Sequence, residues 1–267
     1  MSSTNIYFYN YCGTLANHSQ IINSIMLAKI KIDILMISET SLDKDDPKSN
    51  ILLKNLNFHN YSCYLSNASK GNGTAIIINK STIKNYKIIA IQPRYCIILL
   101  PLNNKNLLLI NNYGPQSKSD AKTKETHYEN IKKTILENTK DNDYIIFGGD
   151  HNTVVNPTDR SSHKLDSNSK YLKDIINTLK LKDLHETSNN HQSVHTFHRN
   201  NLSSRIDSIW HNNNVTNRIS NFQYILDGLW ISDHIPLLVQ IKHSSNPQII
   251  PNIRASTYKF PRFDHKD

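Results

Sequence analysis

The sequence predicts an α+β or layered α/β domain, and two observations support that class. Short runs rich in Ile, Tyr and Val, bounded by Asn, Gly, Asp or Pro, recur along the chain and are typical of β-strands. Longer segments with apolar residues at helical spacing lie between several of these runs. Because helices separate some strands while other strands follow one another directly, we expect sheets and helices to pack in layers.

The apolar runs give specific element predictions. Strands are predicted at residues 6–9, 32–37, 74–78, 97–100, 107–110, 144–147, 206–210 and 235–241. Helices are predicted at residues 18–30, 121–138 and 171–179, where apolar side chains repeat on one side. The polar stretch 155–169, which contains Pro157 and several Ser residues, is predicted to be an exposed loop.

Length and charge limit the kind of protein. A chain of 267 residues is long enough for one domain with a substantial core. The net charge of +9 predicts an anionic partner, with nucleic acid the first candidate, because Lys and Arg that neutralise phosphates release counterions. The alternative is a composition that has drifted toward Lys and Asn without any such partner.

Several protein classes are excluded by simple patterns. The three cysteines are an odd number without C-x-x-C spacing, so neither a disulfide framework nor a zinc site is indicated. The N-terminal residues lack a basic segment followed by an apolar one, and the apolar stretches fall short of the ~18 residues that span a membrane. We therefore expect an intracellular protein with no membrane contact.

The apolar periodicity fades near the C-terminus. Beyond Lys242 basic residues outnumber acidic ones, so we assign residues 1–242 to the folded domain and residues 243–267 to a basic C-terminal tail or linker. The alternative is that the final residues add an ordered strand to the domain.

Polar signatures accompany the predicted strands, at their C-terminal ends or within them. Because a sheet can deliver such positions to one rim, we expect them to form a hydrolytic site. The signatures are Ser38-Glu39-Thr40, Tyr113-Gly114-Pro115, Gly148-Gly149-Asp150-His151-Asn152, Ser204-Arg205-Ile206-Asp207 and Ser232-Asp233-His234.

Glu39 is the first candidate metal ligand. Cleaving a phosphodiester requires a divalent ion to offset phosphoryl charge, a group that deprotonates and aims water, and donors that grip the phosphate. Mg²⁺ prefers oxygen ligands and often uses one or two carboxylates, a role that Glu39 fits at the end of a buried strand. The alternative is that Glu39 is an ordinary loop or capping residue.

Asp150 and Asn152 are candidates for the chemical step. If the strand continues, these side chains project the same way, so one could orient water while the other donates to a phosphate oxygen. His151 would then point to the opposite side and have a structural role. The alternative is a turn rich in Asx residues that closes the strand.

Asp207 and His234 form a second candidate pair. A carboxylate beside an imidazole fixes the ring orientation and favours the imidazolium, which can stabilise negative charge on phosphorus-bound oxygens. Asp233, next to His234, offers a further carboxylate near the ion.

Together these motifs resemble the endonuclease/exonuclease/phosphatase superfamily over roughly residues 5–241. Within it, the Ser-Arg-Ile-Asp and Tyr-Gly-Pro forms are most similar to the apurinic-like endonuclease domains that precede reverse transcriptase in non-LTR retrotransposons. The resemblance implies a four-layer αββα sandwich of two mixed β-sheets flanked by helices, with residues 1–242 as the catalytic domain. The ordered set that carries it is Asn10, Glu39, Tyr113, Asp150 with Asn152, Ser204 to Asp207, and Ser232 to His234.

The resemblance also implies residue roles. The expected cofactor is Mg²⁺, with Mn²⁺ as the alternative ion, held by Glu39 with Asn10 and Asp233 close by. The implied catalytic set places Asp150 on the attacking water, Tyr113 and Asn152 on the scissile phosphate, and His234, held by Asp207, on the phosphoryl oxygens.

Three further residues are implied to contact the substrate, and two positions depart from the family pattern. The substrate contacts are Thr196, Ser204 and Arg205; Thr196 lies in a hydroxyl-aromatic pair that usually precedes the Ser-Arg-Ile-Asp strand, although it could equally be an ordinary strand residue. Cys12 stands where these nucleases usually carry a second Asn or Asp, and His151 replaces the usual aromatic residue.

The predicted function is a metal-dependent DNA endonuclease that leaves a nick with a 3′-hydroxyl. The expected partners are DNA and a reverse transcriptase domain on the same parent polypeptide, and we expect a monomer that acts in the nucleus. The alternatives are an abasic-site repair endonuclease and a catalytically decayed nucleic-acid-binding module, the latter suggested by Cys12 and His151. An inositol phosphatase is disfavoured because the strand bearing Asp207 lacks a Cys-Asp-Arg arrangement.

Overall fold

A computed structural model describes residues 3–12, 18–43, 45–68, 71–188, 194–199, 201–230 and 232–243. In chain order its strands are β1 (Ser3–Asn10), β2 (Ile34–Ser38), β3 (Tyr61–Leu65), β4 (Thr74–Asn79), β5 (Lys87–Gln92), β6 (Tyr95–Leu102), β7 (Lys105–Tyr113), β8 (Tyr144–Asp150), β9 (Lys182–Asp183), β10 (Phe197–Arg199), β11 (Leu202–Ser204), β12 (Asp207–His211), β13 (Ile219–Tyr224) and β14 (Leu237–Lys242). Its α-helices are α1 (His18–Leu27), α2 (Pro47–Phe58), α3 (Ala121–Asn138), α4 (Ser169–Thr178) and α5 (Leu184–Thr187).

The strands form two six-stranded mixed sheets and a short hairpin. The first sheet has the order β13-β14-β1-β2-β4-β3, and the second has the order β5-β6-β7-β8-β12-β9. Each sheet contains a central parallel pair, β1 with β2 and β7 with β8. Strands β10 and β11 form a separate two-stranded antiparallel hairpin, which isolated bridges join to Arg160 and His234.

Three apolar clusters define the layers. Between the sheets, residues such as Phe8 and Met36 from the first sheet pack with Leu109 and Ile146 from the second. The outer face of the first sheet is covered by α1 and α2, whose buried residues include Ile21, Ile25, Leu52 and Leu56. The outer face of the second sheet is covered by α3 and α4 through Tyr128, Ile131, Leu172 and Ile175. The four-layer αββα sandwich is therefore confirmed.

The helices begin where the sequence supplies capping groups. Asp120 accepts a hydrogen bond from the Thr123 backbone at the start of α3, and Asp46 does the same for Lys48 at the start of α2. Pro47 follows directly as the first residue of α2, a position where its missing N–H has no cost.

All eight predicted strands and all three predicted helices are present, with shifted ends. The sequence patterns missed α2, because it buries only Ser49, Leu52 and Leu56 among polar residues. They also missed β3 and β5, most of whose residues are only partly buried, although the Ile88–Ile91 run of β5 is as long as other runs that predict strands. The loop at 155–169 contains only a 3₁₀ turn at Pro157–Asp159, which agrees with the prediction up to the start of α4.

Residues 244–267, which include most of the predicted basic tail, lie outside the described residues. Within the described part of the chain, no helix is both long and apolar enough to cross a membrane.

Candidate active site

Strand register brings the polar signatures to one rim of the sandwich. In the first sheet, Asn10 at the end of β1 lies opposite Ser38 at the end of β2, so Glu39 follows at the same level. In the second sheet, Asp150 at the end of β8 pairs with Tyr113 on one side and with Asp207 on the other. Since both parallel pairs end at this rim, the two sheets present their polar residues to a shared cleft.

Asn10 connects the two sheets. Its Nδ2 atom donates hydrogen bonds to Asp150 Oδ2 at 2.7 Å and to Glu39 Oε2 at 3.3 Å, and lies 3.5 Å from His234 Nε2. Its Oδ1 atom accepts from the Cys12 backbone N–H at 2.8 Å, which fixes the orientation of the amide. The Asn10 side chain is therefore held between the predicted metal ligand and the predicted catalytic pair.

His234 is held by Asp207 in an enclosed environment. The His234 Nδ1–H donates to Asp207 Oδ2 at 2.8 Å, and Thr196 Oγ1 donates to the same oxygen at 2.7 Å. Burial alone would lower the pKa of His234, but the negative charges of Asp207, Asp150 and Asp233 raise it to about 10. The ring is therefore an imidazolium at neutral pH and has a positive charge to offer a phosphate.

Asp150 is the buried carboxyl group of the cleft. Burial and the nearby negative charge of Asp207 raise the pKa of Asp150 to about 7, against the opposing effects of His234 and Asn10. A carboxyl group that titrates near neutrality can both accept and return a proton under physiological conditions.

The expected continuation of the strand past Asp150 is wrong. Strand β8 ends at Asp150, and Asn152 adopts a left-handed conformation with φ of 51°. The Asn152 backbone N–H donates to Asp150 Oδ1 at 2.7 Å, which is the Asx turn that the alternative interpretation described. The Asn152 side chain donates from Nδ2 to the Gly114 carbonyl at 2.9 Å.

Three of the eight non-glycine residues with positive φ in the described part of the chain lie at the cleft. Besides Asn152, Glu39 has φ of 56° and Cys12 has φ of 57°, values that cost side-chain-bearing residues about 1–3 kcal/mol each. Such strain persists where the surrounding structure over-determines the geometry, and it concentrates at functional sites.

Tyr113 and Arg94 form one wall of the cleft. The Tyr113 hydroxyl donates to the Gly71 carbonyl at 3.2 Å, and the Arg94 guanidinium lies 5.0 Å from the centre of the Tyr113 ring. Burial and the carboxylates of Glu39 and Asp150 hold the pKa of Tyr113 well above its ordinary value. The hydroxyl therefore stays protonated and remains a hydrogen-bond donor.

Asp233 and Cys12 lie at the mouth of the cleft. Asp233 is exposed, with Oδ1 at 3.9 Å from His234 Nε2. The Cys12 side chain is half-buried, and burial together with a hydrogen bond to Asp233 raises the pKa of its thiol to about 12. The thiol is therefore protonated at neutral pH.

The donor set fits a hard divalent ion. The ligand atoms of Asp150, Asp207 and His234 lie within 4.8 Å of one another, and the Glu39 carboxylate joins them through Asn10. Carboxylate and amide oxygens suit Mg²⁺ or Mn²⁺. His234 is less suited to bind metal, because its ring is protonated and tied to Asp207. Glu39 is therefore the residue best placed to hold an ion, with Asn10 and the Asp150 carboxyl beside it.

Arg205 is not brought to the cleft. Its Nε and Nη2 atoms bind both oxygens of Asp159 at 2.9 and 2.8 Å, and Nη2 also binds Asp183 at 2.6 Å. Its guanidinium is enclosed by protein, so the geometry favours a structural role over the predicted substrate contact. Ser204 is likewise buried, within the β10–β11 hairpin opposite Phe197.

His151 has the structural position that the sequence suggested. It is fully buried, and its ring bonds to Asn112 Nδ2 at 2.8 Å and to the Ser208 carbonyl at 3.3 Å. Asn112 in turn accepts from His127 at 2.8 Å. Burial lowers the pKa of His151 and that of His127 to about 3, so both rings are neutral.

The sequence pattern that defines the Endonuclease/Exonuclease/phosphatase family matches residues 8–234. The chain belongs to this family. The match begins within β1 and ends at His234, so it covers the residues that meet at the rim. No curated protein sequence gives a significant match.

Solved structures of the Endonuclease/Exonuclease/phosphatase fold are similar to this chain. The AP endonuclease LMAP from Leishmania major aligns with a TM-score of 0.70 and 16% identity, covering 91% of this chain and 88% of that one. The 3′ phosphatase NExo from Neisseria, bound to a product DNA hairpin, aligns with a TM-score of 0.69 and 18% identity, covering 90% and 99%. The endonuclease domain of TRAS1, a telomere-specific non-LTR retrotransposon, aligns with a TM-score of 0.65 and 16% identity, covering 91% and 99%.

Membership of the Endonuclease/Exonuclease/phosphatase family indicates the general chemistry that this chain shares with other members. Its members are phosphodiesterases, nucleases or phosphatases that typically depend on divalent metal ions. The buried Asp150, Asp207 and His234 cluster of this chain is consistent with that chemistry.

Sequence reasoning missed two parts of this family member's site. Arg94 lies in a turn between β5 and β6 and reaches Tyr113 only through the tertiary fold. Asn112 is one residue before Tyr113 but faces the buried His127 and His151 rings. An isolated Arg in a turn and an Asn at a strand end carry no signal that would have identified them.

Proposed function

We propose that this protein is a Mg²⁺-dependent phosphodiesterase that nicks DNA. The observation that carries the proposal is that Asp150 and His234 lie close together in one cleft, with their polar atoms within 4.8 Å of each other. Asp150 is a buried carboxyl group with a pKa near neutrality, and His234 is a buried imidazolium held by Asp207. Asn10 contacts both, which brings a base, a cation and an amide donor together at one point of the cleft.

In the proposed mechanism, Asp150 takes the proton of a water molecule that attacks phosphorus in line with the 3′ oxygen. The phosphorus–oxygen bond to the 3′ position breaks, and the 3′ oxygen takes up a proton from water to give a 3′-hydroxyl. The His234 imidazolium and the donors of Tyr113 and Asn152 stabilise the negative charge on the phosphoryl oxygens.

Glu39, with Asn10 alongside and Asp233 at the mouth, would hold the ion close to Asp150. A bound divalent ion supplies charge that offsets the phosphoryl oxygens. Asp207 keeps the His234 ring oriented and protonated, and Thr196 holds the Asp207 carboxylate in turn.

An extended anionic substrate fits the surface beside the cleft. A groove of about 670 Å³ runs from Arg94 to the first turns of α3, and its charged lining residues are the cations Arg94 and Lys122 and the single carboxylate Asp120. The chain also carries a net charge of +9. Cations and amide groups beside a hydrolytic site favour a polyanion over a small phosphate ester.

A retrotransposon-type nicking activity on intact duplex DNA is the finer proposal. The Ser-Arg-Ile-Asp and Tyr-Gly-Pro motifs and the similarity in fold to the TRAS1 endonuclease domain support it. Its corollaries are DNA as the partner, action as a monomer in the nucleus, and a reverse transcriptase domain on the same parent polypeptide.

The test is the conversion of supercoiled plasmid to nicked circles in Mg²⁺. Asp150→Asn and His234→Ala should each abolish nicking. The matched control is Asp143→Asn, because Asp143 is also buried and lies directly before β8, at the end opposite Asp150. Nicking that survives either cleft substitution, or that is equally lost in the control while folding is intact, would contradict the proposal.

A second measurement separates the proposal from abasic-site repair, the activity named for the Leishmania major protein of similar fold. An abasic oligonucleotide and the same intact duplex should be cleaved at comparable rates. A preference of orders of magnitude for the abasic strand would favour a repair enzyme. Salt-sensitive DNA binding without Mg²⁺ binding or turnover would instead favour a decayed binding module.

A further inference from the structure

His151 lies between two residues of the cleft, yet every polar atom of His151 is bound by the protein interior. Its backbone N–H donates to the Ile206 carbonyl at 2.9 Å, and its carbonyl accepts from the Tyr128 hydroxyl at 3.4 Å. Its ring packs on Phe147 with centres 5.0 Å apart, and the residue has no exposed surface. His151 therefore cannot contact a substrate, but it is attached to both neighbours that can.

The hydrogen-bond partners of the ring determine its tautomer. The Ser208 carbonyl can only accept, so His151 Nε2 carries the hydrogen and donates to it. His151 Nδ1 must then accept from the Asn112 amide at 2.8 Å. This leaves Asn112 Oδ1 to accept from His127 Nε2–H. Donors and acceptors therefore alternate along the buried hydrogen-bond network of His127, Asn112 and His151.

This hydrogen-bond network borders the turn that carries Asp150 and Asn152. Gly114 N–H donates to the Asp150 carbonyl at 2.8 Å, and the Gly114 carbonyl accepts from the Asn152 side chain at 2.9 Å. The backbones are so close that a Cβ atom on Gly114 would lie 2.1 Å from the His151 carbonyl oxygen. A shift of the His151 backbone would therefore press on Gly114, which is hydrogen-bonded to both Asp150 and Asn152.

We propose that His151, through its hydrogen bonds to Asn112 and Ser208, is a positioning residue that fixes the Asp150–Asn152 turn for hydrolysis. The proposal rests on the proposed nuclease function for its kinetic readout. At this position the side chain secures the turn by directed bonds to β7 and β12, whereas an aromatic ring would secure it by packing alone. Positioning of this kind acts on the chemical step, because displacement of a catalytic group by about 1 Å costs up to about 10²-fold in rate.

The kinetic test compares three substitutions in the full chain. His151→Phe keeps the ring and its packing on Phe147 but removes both ring hydrogen bonds. We expect kcat for plasmid nicking to fall at least about tenfold, with KM within about twofold of wild type. His151→Gln keeps one acceptor for Asn112 and one donor for Ser208, so it should restore kcat to within about threefold of wild type.

The matched control is His211→Phe. His211 is fully buried in β12 and also has both ring nitrogens in hydrogen bonds, to Thr187 and to the Asn212 carbonyl. It pairs with Ile146, four residues below Asp150 along β8, which is about 13 Å from the rim. With assays run well below each melting temperature, this variant should lose stability but keep its kcat.

Hydrogen exchange gives a readout that does not depend on activity. The amides of residues 150–153 should exchange faster in His151→Phe than in wild type, and should be unchanged in His151→Gln and His211→Phe. Unchanged exchange in His151→Phe, or equal losses of kcat in His151→Phe and His211→Phe, would overturn the positioning role. If the wild-type protein does not nick DNA, the proposed function fails, and the exchange rates alone then decide whether His151 holds the turn.

Discussion

His234 Nδ1 lies 2.8 Å from Asp207 Oδ2, and both side chains are 5% exposed. In so little water the carboxylate charge is screened weakly, so it stabilises the imidazolium more strongly than a surface pair would. The same carboxylate also accepts from Thr196, which limits its movement. Protonation in the cleft is therefore set by this pair and by the neighbouring Asp150.

The first prediction concerns the pH dependence of cleavage. In the proposed mechanism Asp150 accepts a proton from water and must first lose its own, so kcat/KM should rise with pH through about 7. His234 must keep its proton, so kcat/KM should fall as pH rises through about 10. Initial rates of nicking, measured at intervals of about one pH unit from about pH 5 to about pH 11, should give a bell-shaped pH–rate profile. A rate that does not change across neutrality would contradict the role of Asp150.

The second prediction tests the source of the alkaline limb. Asp207→Asn removes the charge that raises the pKa of His234, so the falling limb should move to lower pH. The control is Thr196→Val, which removes one hydrogen bond to Asp207 but leaves the charge. The control should keep the position of the limb. Equal displacement in both variants would indicate that the hydrogen bond, and not the charge, sets the pKa.

The third prediction concerns acid stability. Burial lowers the pKa of His127 from its ordinary value to about 3, so the unfolded chain binds the extra proton at intermediate pH. The contribution is complete above the unfolded pKa of about 6.5 and is lost as pH falls toward about 3. In His127→Phe, the free energy of unfolding should therefore decline less steeply below about pH 6.5, by up to about 1.4 kcal/mol per pH unit. Urea unfolding at several pH values measures this slope, and an identical slope in both proteins would contradict a neutral buried ring.

The fourth prediction separates backbone strain from steric overlap. Gly149 and Gly228 both have positive φ, so replacement by Ala costs each about 1 kcal/mol for the backbone conformation. A Cβ atom at Gly149 would also lie 2.3 Å from the Asn112 carbonyl oxygen, whereas one at Gly228 meets nothing within 4 Å. Gly149→Ala should therefore destabilise the protein by about 2–4 kcal/mol more than Gly228→Ala in denaturant unfolding. Similar losses would show that β7 and β8 separate easily.

The fifth prediction tests the role of Arg205. Its buried ion pairs with Asp159 and Asp183 mean that Arg205→Ala should cost about 3–5 kcal/mol, because it leaves two carboxylates without their partner. Lys133→Ala, in an exposed pair with Glu137, should cost less than about 0.5 kcal/mol. At a temperature where both variants stay folded, KM for DNA should be unchanged. A large rise in KM for Arg205→Ala alone would restore the substrate contact first inferred from the sequence.

The sequence predicted the parts of the fold that are locally determined. The central strands could be found because Ile-rich runs such as those of β2 and β4 are buried on both faces and read as continuous apolar segments. Helix α2 could not, because it is mostly polar and its few buried residues are covered only through tertiary packing. Strand β5 was missed although its Ile88–Ile91 run is as long as runs that identified other strands.

The candidate site shows the same division. Glu39, Asp150 and His234 follow or precede apolar runs, so their meeting at a rim could be anticipated from strand ends. The Asx turn at Asn152 could also be anticipated, as the alternative to a continued strand, because Asp150 closes it locally. The enclosure of Arg205 could not, because it depends on Asp159 and Asp183, which are distant in sequence.

The close approach of the two sheets at Gly148 has a consequence for the cleft. A methyl group at Gly148 would lie 2.8 Å from the Phe8 ring, so the gap between the sheets at this level has no room for one extra carbon. Asn10 follows Phe8 by two residues and Asp150 follows Gly148 by two, and these two side chains meet across the same gap at 2.7 Å. An added carbon at Gly148 would therefore force the sheets apart at this level and separate Asn10 from Asp150.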